Sequence, residues 1–100
     1  MTGTQERLFS DVAKDSFKHE NAVSMAESIN KQLKIIACDF EDIGDMKTTY
    51  LQEVDDKGQH VWHFTTSKVV YEQIQKIKDS FAQGAIKLTL VKVKNYYKVQ

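Results

Sequence analysis

The chain of 100 residues has no proline, one cysteine and four glycines. Without proline, nothing in it forces a kink in a helix or removes a donor from a strand ladder. The single cysteine, Cys38, has no partner for an internal disulfide, which suits a reducing compartment. No apolar run approaches the roughly 18 residues that a membrane-spanning helix needs. The opening Met-Thr-Gly-Thr-Gln-Glu-Arg lacks the basic-then-apolar layout of a secretory signal. A cytoplasmic location without a membrane partner is therefore expected. The last absence is local, for no acid follows Asp79.

Against these absences, 41% of the residues are hydrophobic, which supports a modest core, and the length fits one domain over residues 1–100. The net charge of zero conceals a sorted distribution. Residues 39–56 carry one lysine against seven acids, and residues 57–100 carry eight lysines against Glu72 and Asp79. Such sorting makes a dipolar surface whose positive pole suits a polyanion, and whose acidic stretch could imitate nucleic acid toward a basic protein.

The hydrophobic periodicity defines an order of elements. Residues 6–18 space Leu8, Phe9, Val12, Ala13 and Phe17 as a helix does, and residues 21–31 repeat this with Ala22, Met25, Ala26 and Ile29. Together they predict a helical extension over residues 1–31. Strands are expected at 32–40, 47–54 and 60–65, with an acidic turn at 41–45 and a hairpin turn at Asp55-Asp56-Lys57-Gly58. At Thr66-Ser67 the period lengthens. Val70, Ile74, Ile77 and Phe81 form one helical stripe that Gly84 terminates. Strands at 86–93, with a bulge near Leu90-Val91, and at 96–99 complete the order. The predicted fold is α+β: a five-stranded, partly open antiparallel barrel over 32–100, with a helix between strands three and four.

Catalytic patterns are missing. There is no nucleophile elbow, phosphate-cradling glycine loop or paired acid/base motif, so a non-enzymatic protein is expected. The acids of 39–45 lack calcium-loop spacing. His60 and His63 point to opposite faces of one strand and make no zinc site with Cys38. No cofactor or metal is implied. The pattern that does carry chemistry is Lys87, Lys92, Lys94 and Lys98 interleaved with Tyr96 and Tyr97. Lysines that track phosphates and aromatic faces that stack bases are what a single strand requires. Lys92 and Lys94 flank the loop Lys94-Asn95-Tyr96. Tyr50 and His63, on the second and third strands, are candidates for the same surface, while Trp62 and Phe64 are expected to face the core.

Three stretches, KIIACDFEDIG, VWHFTTSKVVYEQIQKI and KLTLVKVKNYY, resemble a loose group of small phage-encoded replication proteins. The order of elements over 32–100 resembles the oligonucleotide/oligosaccharide-binding (OB) fold. The resemblance implies a phage or prophage origin, a host cytosolic location and a role close to single-stranded DNA. This chain departs from it in lacking an acidic run after the last strand and in adding the N-terminal segment. The leading expectation is a single-stranded DNA-binding protein of phage replication or recombination. The alternative is a protein-interaction module acting through the acidic 39–56 surface, either as an inhibitor of a host enzyme or as an accessory replication subunit.

Overall fold

The computed structural model describes residues 18–100 and is a small α+β domain: a curled half-barrel sheet of six strands with one α-helix. The strands are β1 (Val23–Ser24), β2 (Gln32–Ile43), β3 (Met46–Val54), β4 (His60–Thr65), β5 (Ile86–Val93) and β6 (Tyr96–Val99), and the helix is α1 (Lys68–Ile77). The sheet order is β1-β4-β3-β2-β5-β6. Among the described residues, no helix is long and apolar enough to cross a membrane.

The strand β2 organises the molecule. Its first residues, Gln32 to Ile35, pair with β5, and Ile35 to Ile43 pair with β3. The register slips between Ile35 and Ala37, where Ile36 is the extra residue of a bulge. A bulge reverses side-chain parity and bends the strand. Leu33 and Ile35 before it therefore share the inner face with Cys38 and Phe40 after it. Unbroken alternation over 32–40 would have split these residues between two faces; the expected bulge was near Leu90-Val91. The ladder of β5 is unbroken there; instead the strand changes partner, from β2 at Thr89 to β6 at Leu90. Val91 and Val93 remain half-buried on the outer face.

One apolar cluster holds the inner face. Leu33, Ile35, Leu51, Leu88 and Leu90 from the sheet meet Val70 and Ile74 from α1 and Met25 from the N-terminal side, each at most 3% exposed. Burying each such side chain contributes about 1.5–3 kcal/mol. The Ser67 side chain caps α1 by accepting from the Val70 amide, 3.3 Å. A short 3-10 turn, Lys78–Gln83, carries Phe81 onto the core, and the chain turns at Gly84, φ 132°. The positive φ suits glycine because it lacks a Cβ.

The half-barrel stays open because each edge is occupied by something else. The β1 backbone pairs in parallel with β4 at Val23–His63 and Ser24–Phe64. The outer edge of β6 is covered by α1. Gln73 donates to the Val99 carbonyl, 3.0 Å, and accepts from the Val99 amide, 2.9 Å, while the Ser67 hydroxyl donates to the Tyr97 carbonyl, 3.1 Å. These bonds satisfy edge groups that would otherwise invite another strand.

Three expectations need correction. The helix expected over 21–31 is not an α-helix: β1 and a single 3-10 turn, Met25–Ser28, stand there, because the β4 edge draws Val23 and Ser24 into extended pairing. The sheet thus has six strands, one of them parallel, where five antiparallel strands were expected. The acidic turn is shorter than expected, since β2 runs on to Ile43 and Gly44, at φ 60°, makes the reversal with Asp45. The helix expected over 6–18 lies outside the described residues apart from Lys18.

Candidate nucleic-acid interface

Pairing across the sheet assigns every strand residue to a face, because directly opposed residues point the same way. On the arm formed by the start of β2, β5 and β6, the inner positions are Leu33, Leu88, Leu90 and Val99. The outer positions are Gln32, Lys34, Lys87, Thr89, Val91, Val93, Tyr96 and Lys98. Lys34 stands directly opposite Lys87, and Val91 opposite Lys98. No outer position of this arm is acidic. Tyr96 is 44% exposed there.

The structure divides the cluster expected from the sequence. Lys87, Tyr96 and Lys98 share this outer face. Lys92 and Tyr97 are opposed to each other on the inner parity, with the Lys92 ammonium 5.9 Å from the Tyr97 ring centroid. Tyr97 packs against the core. Lys94 lies in the β5–β6 turn at φ 53°. Sequence reasoning passed over Lys34, which joins the face only because β2 pairs with β5. A lysine alternating with Leu33 and Ile35 was the available signal.

The other arm, formed by the rest of β2 with β3 and β4, has a different outer face. Register pairs Tyr50 with Phe64 and Gln52 with Trp62, and sets Asp39 opposite Tyr50. Trp62 and Phe64 therefore face outward with Tyr50, and His63 faces inward beside Leu51, the reverse of the expected assignment. The cause is register: Leu51 must enter the core, and its opposed neighbour His63 goes with it.

Tyr50 and His63 are both closed to solvent, at 2% and 4% exposure. The Tyr50 hydroxyl donates to Glu41 Oε1, 2.7 Å. Burial, then the adjoining Glu41 carboxylate, raises its pKa and keeps it a donor. His63 Nε2 donates to Glu53 Oε1, 2.7 Å, and its Nδ1 is buried without a partner among the described residues. Neither ring is presented to a ligand.

Residues 18–22 form a strap over this second outer face. The His19 ring stacks on Trp62 at 3.9 Å between centroids, meets Tyr50 edge-on at 4.6 Å, and bonds Asp39 Oδ2 through Nε2, 3.0 Å. Lys18 Nζ donates to the Phe40 carbonyl, 2.8 Å, and to Asp39 Oδ1, 3.4 Å. Burial alone would raise the Asp39 pKa. Hydrogen bonds from His19, the Phe40 amide and Lys18 outweigh it and hold the carboxyl below its ordinary value. Cys38 is half-buried, and burial followed by the Asp39 charge raises its pKa, so it is no activated thiol.

Among the described residues, no three His, Cys, Asp or Glu side chains are grouped to hold a metal ion. No family model matches the chain, and neither the curated proteins nor the solved structures hold a match.

Proposed function

We propose that the protein is a non-enzymatic binder of single-stranded DNA, working through the outer face of the β2–β5–β6 arm in phage or prophage replication or recombination. The observation that carries this reading is that face: Lys34 and Lys87 toward one end, and Lys98 near an exposed Tyr96 toward the other, with no acid at any of its strand positions. Lysines offer phosphate contacts and the tyrosine a stacking surface worth about 1–3 kcal/mol per base. The strand order supports the reading. Taken without β1, the order β4-β3-β2-β5-β6, with a helix between β4 and β5, is that of an OB-like barrel opened between its third and fifth strands.

Fluorescence anisotropy with a labelled oligo-dT tests it. Binding is expected at about 50 mM salt and should weaken steeply as salt rises, with a log–log slope of about 0.7 per phosphate contacted. No binding at about 50 mM salt rules the proposal out.

One observation favours the protein-interaction reading instead. Beyond Ile35, β2 pairs with β3 alone, so its other edge stands outside the sheet ladder at Phe40, whose amide bonds the Asp39 side chain and whose carbonyl takes Lys18. An acidic edge of this kind suits a basic partner segment. Recovery from nuclease-treated host lysate of one stoichiometric partner, lost on Asp42→Lys and Asp45→Lys substitution, would favour it. Recovery of nucleic acid alone would count against it.

A further inference from the structure

A groove of about 510 Å³ opens where β3 leaves β2. Pairing between the two strands stops at Ile35–Glu53, and β3 runs on through Val54 into the turn at Asp55 and Asp56. The start of β2 continues with β5 on its other side. The residues lining it include Lys31, Lys34 and Lys87 on the β2–β5 side and Asp55 and Asp56 of the turn on the β3 side, while the carboxylate of Glu53, also in the lining, turns to His63 on the inner face. No ion pair crosses between the walls. Glu53 Oε1 is taken by His63, and Asp55 Oδ1 accepts from the Lys57 and Gln59 amides, 2.9 and 2.8 Å; Glu53 Oε2, Asp55 Oδ2 and the Asp56 carboxylate enter no bond among the described residues.

Opposed charges held apart across a groove leave acceptors needed on one side and donors on the other. A nucleotide supplies both from one molecule. Its phosphate accepts from lysine, and an amino-bearing base donates to a carboxylate, as cytosine N4 does to Asp or Glu. Where cytosine carries that amine, thymine carries the O4 carbonyl, an acceptor that carboxylates repel; its single donor is N3–H beside it. Lys34 and Lys87 belong both to this groove and to the basic outer face, so a strand lying on that face leads into it.

We infer that this groove is a base-reading subsite that prefers cytosine to thymine, the lysines taking the phosphate and the carboxylates of Asp55 and Asp56 taking the exocyclic amine. The inference rests on the single-strand reading above and adds a sequence preference to it. Both bases are pyrimidines with similar stacking area, so the comparison reads the 4-position, an amine with two donors in cytosine against a carbonyl acceptor in thymine.

The test compares oligo-dC with oligo-dT by anisotropy at matched salt, slightly above neutral pH, where cytosine is uncharged. The full chain should bind oligo-dC tighter by about tenfold, toward the lower end of what a specific base contact supplies. Asp55→Asn with Asp56→Asn should abolish the preference while oligo-dT affinity holds or rises. Asparagine at 55 retains the oxygen that accepts the two turn amides. Asp56→Asn alone, at an exposed side chain with no bond among the described residues, should diminish the preference without touching the fold. Equal binding of the two oligomers by the unaltered chain overturns the inference and leaves the proposed function standing. Binding of neither overturns both. A preference that survives the double substitution, or displacement from the groove by a short zwitterionic peptide and not by oligo-dC, also overturns it.

Discussion

The two arms of the sheet share β2 and one apolar cluster, yet they present opposite chemistry to solvent. On the β2–β3–β4 arm, Asp39 and Glu41 surround aromatic rings, and those rings are already engaged: His19 lies on Trp62, and the Tyr50 hydroxyl is committed to Glu41. On the β2–β5–β6 arm, Lys34, Lys87 and Lys98 occupy a face with no acid at its strand positions, and Tyr96 is open. The change of sign falls at the Ile36 bulge, so one strand delivers a lysine to one arm and carboxylates to the other. Aromatic content alone does not mark a nucleic-acid surface; what counts is whether the rings are free and which charges surround them.

If the arms share one core, truncation in either must unfold both. Leu51→Ala on the acidic arm and Leu88→Ala on the basic arm should each cost about 2–5 kcal/mol. Urea denaturation followed by far-ultraviolet dichroism and by Trp62 fluorescence should give a single coincident transition for both variants. Separate transitions for the two probes would break the comparison by making the arms independent.

A smaller effect concerns the rim of the basic arm. Gln73→Ala leaves the Val99 amide and carbonyl without the helix side chain that now satisfies both. The expected cost is about 1–2 kcal/mol. Faster amide exchange at Val99, with exchange at Leu51 little changed, is the check. Unchanged protection at Val99 would mean that α1 does not guard this edge.

The smallest effect is the pH response of the acidic arm. The folded-state pKa of Asp39 is lowered, so its contribution is present above the unfolded value of about 3.9 and is lost as pH falls from there through the lower folded value. Fluorescence of Trp62, the only tryptophan, should report loosening of the His19 stack in that acid window. Asp39→Asn should remove this step. A step of unchanged size in the variant would show that another group holds the strap.

Much of the sheet was legible in the sequence because it depends on local signals. The Asp55–Gly58 turn between alternating strands, the helical stripe Val70, Ile74 and Ile77 after Ser67, and the short turn at Lys94-Asn95 stand where the pattern placed them, while Phe81, expected on the same helix, packs from the 3-10 turn that follows it. The inward or outward sense of each strand was not legible. Leu51 and Tyr50 are both good core residues, and only pairing with Cys38, which the bulge puts on the same face as Ile35, decides that Leu51 enters. That decision carries His63 inward and Trp62 outward. The apolar spacing of Ala22, Met25, Ala26 and Ile29 imitated a helix, but the open β4 edge offered ladder bonds that outweighed local propensity. The candidate interface was half legible for the same reason. Lys87, Tyr96 and Lys98 lie close in sequence, whereas Lys34 reaches them through long-range pairing, and Lys92 is removed from them by strand parity.

The central claim is that attraction for a single strand resides on the basic arm and not in the lysines of the C-terminal half at large. Oligo-dT binding should be measured across salt for two matched triple reversals, Lys34→Glu/Lys87→Glu/Lys98→Glu and Lys68→Glu/Lys76→Glu/Lys78→Glu. The first should lose most of the affinity and lower the log–log salt slope by about 2, at about 0.7 per lost phosphate contact, and the second should lose only a weak long-range part. Equal losses of affinity and slope from the two sets would contradict the account.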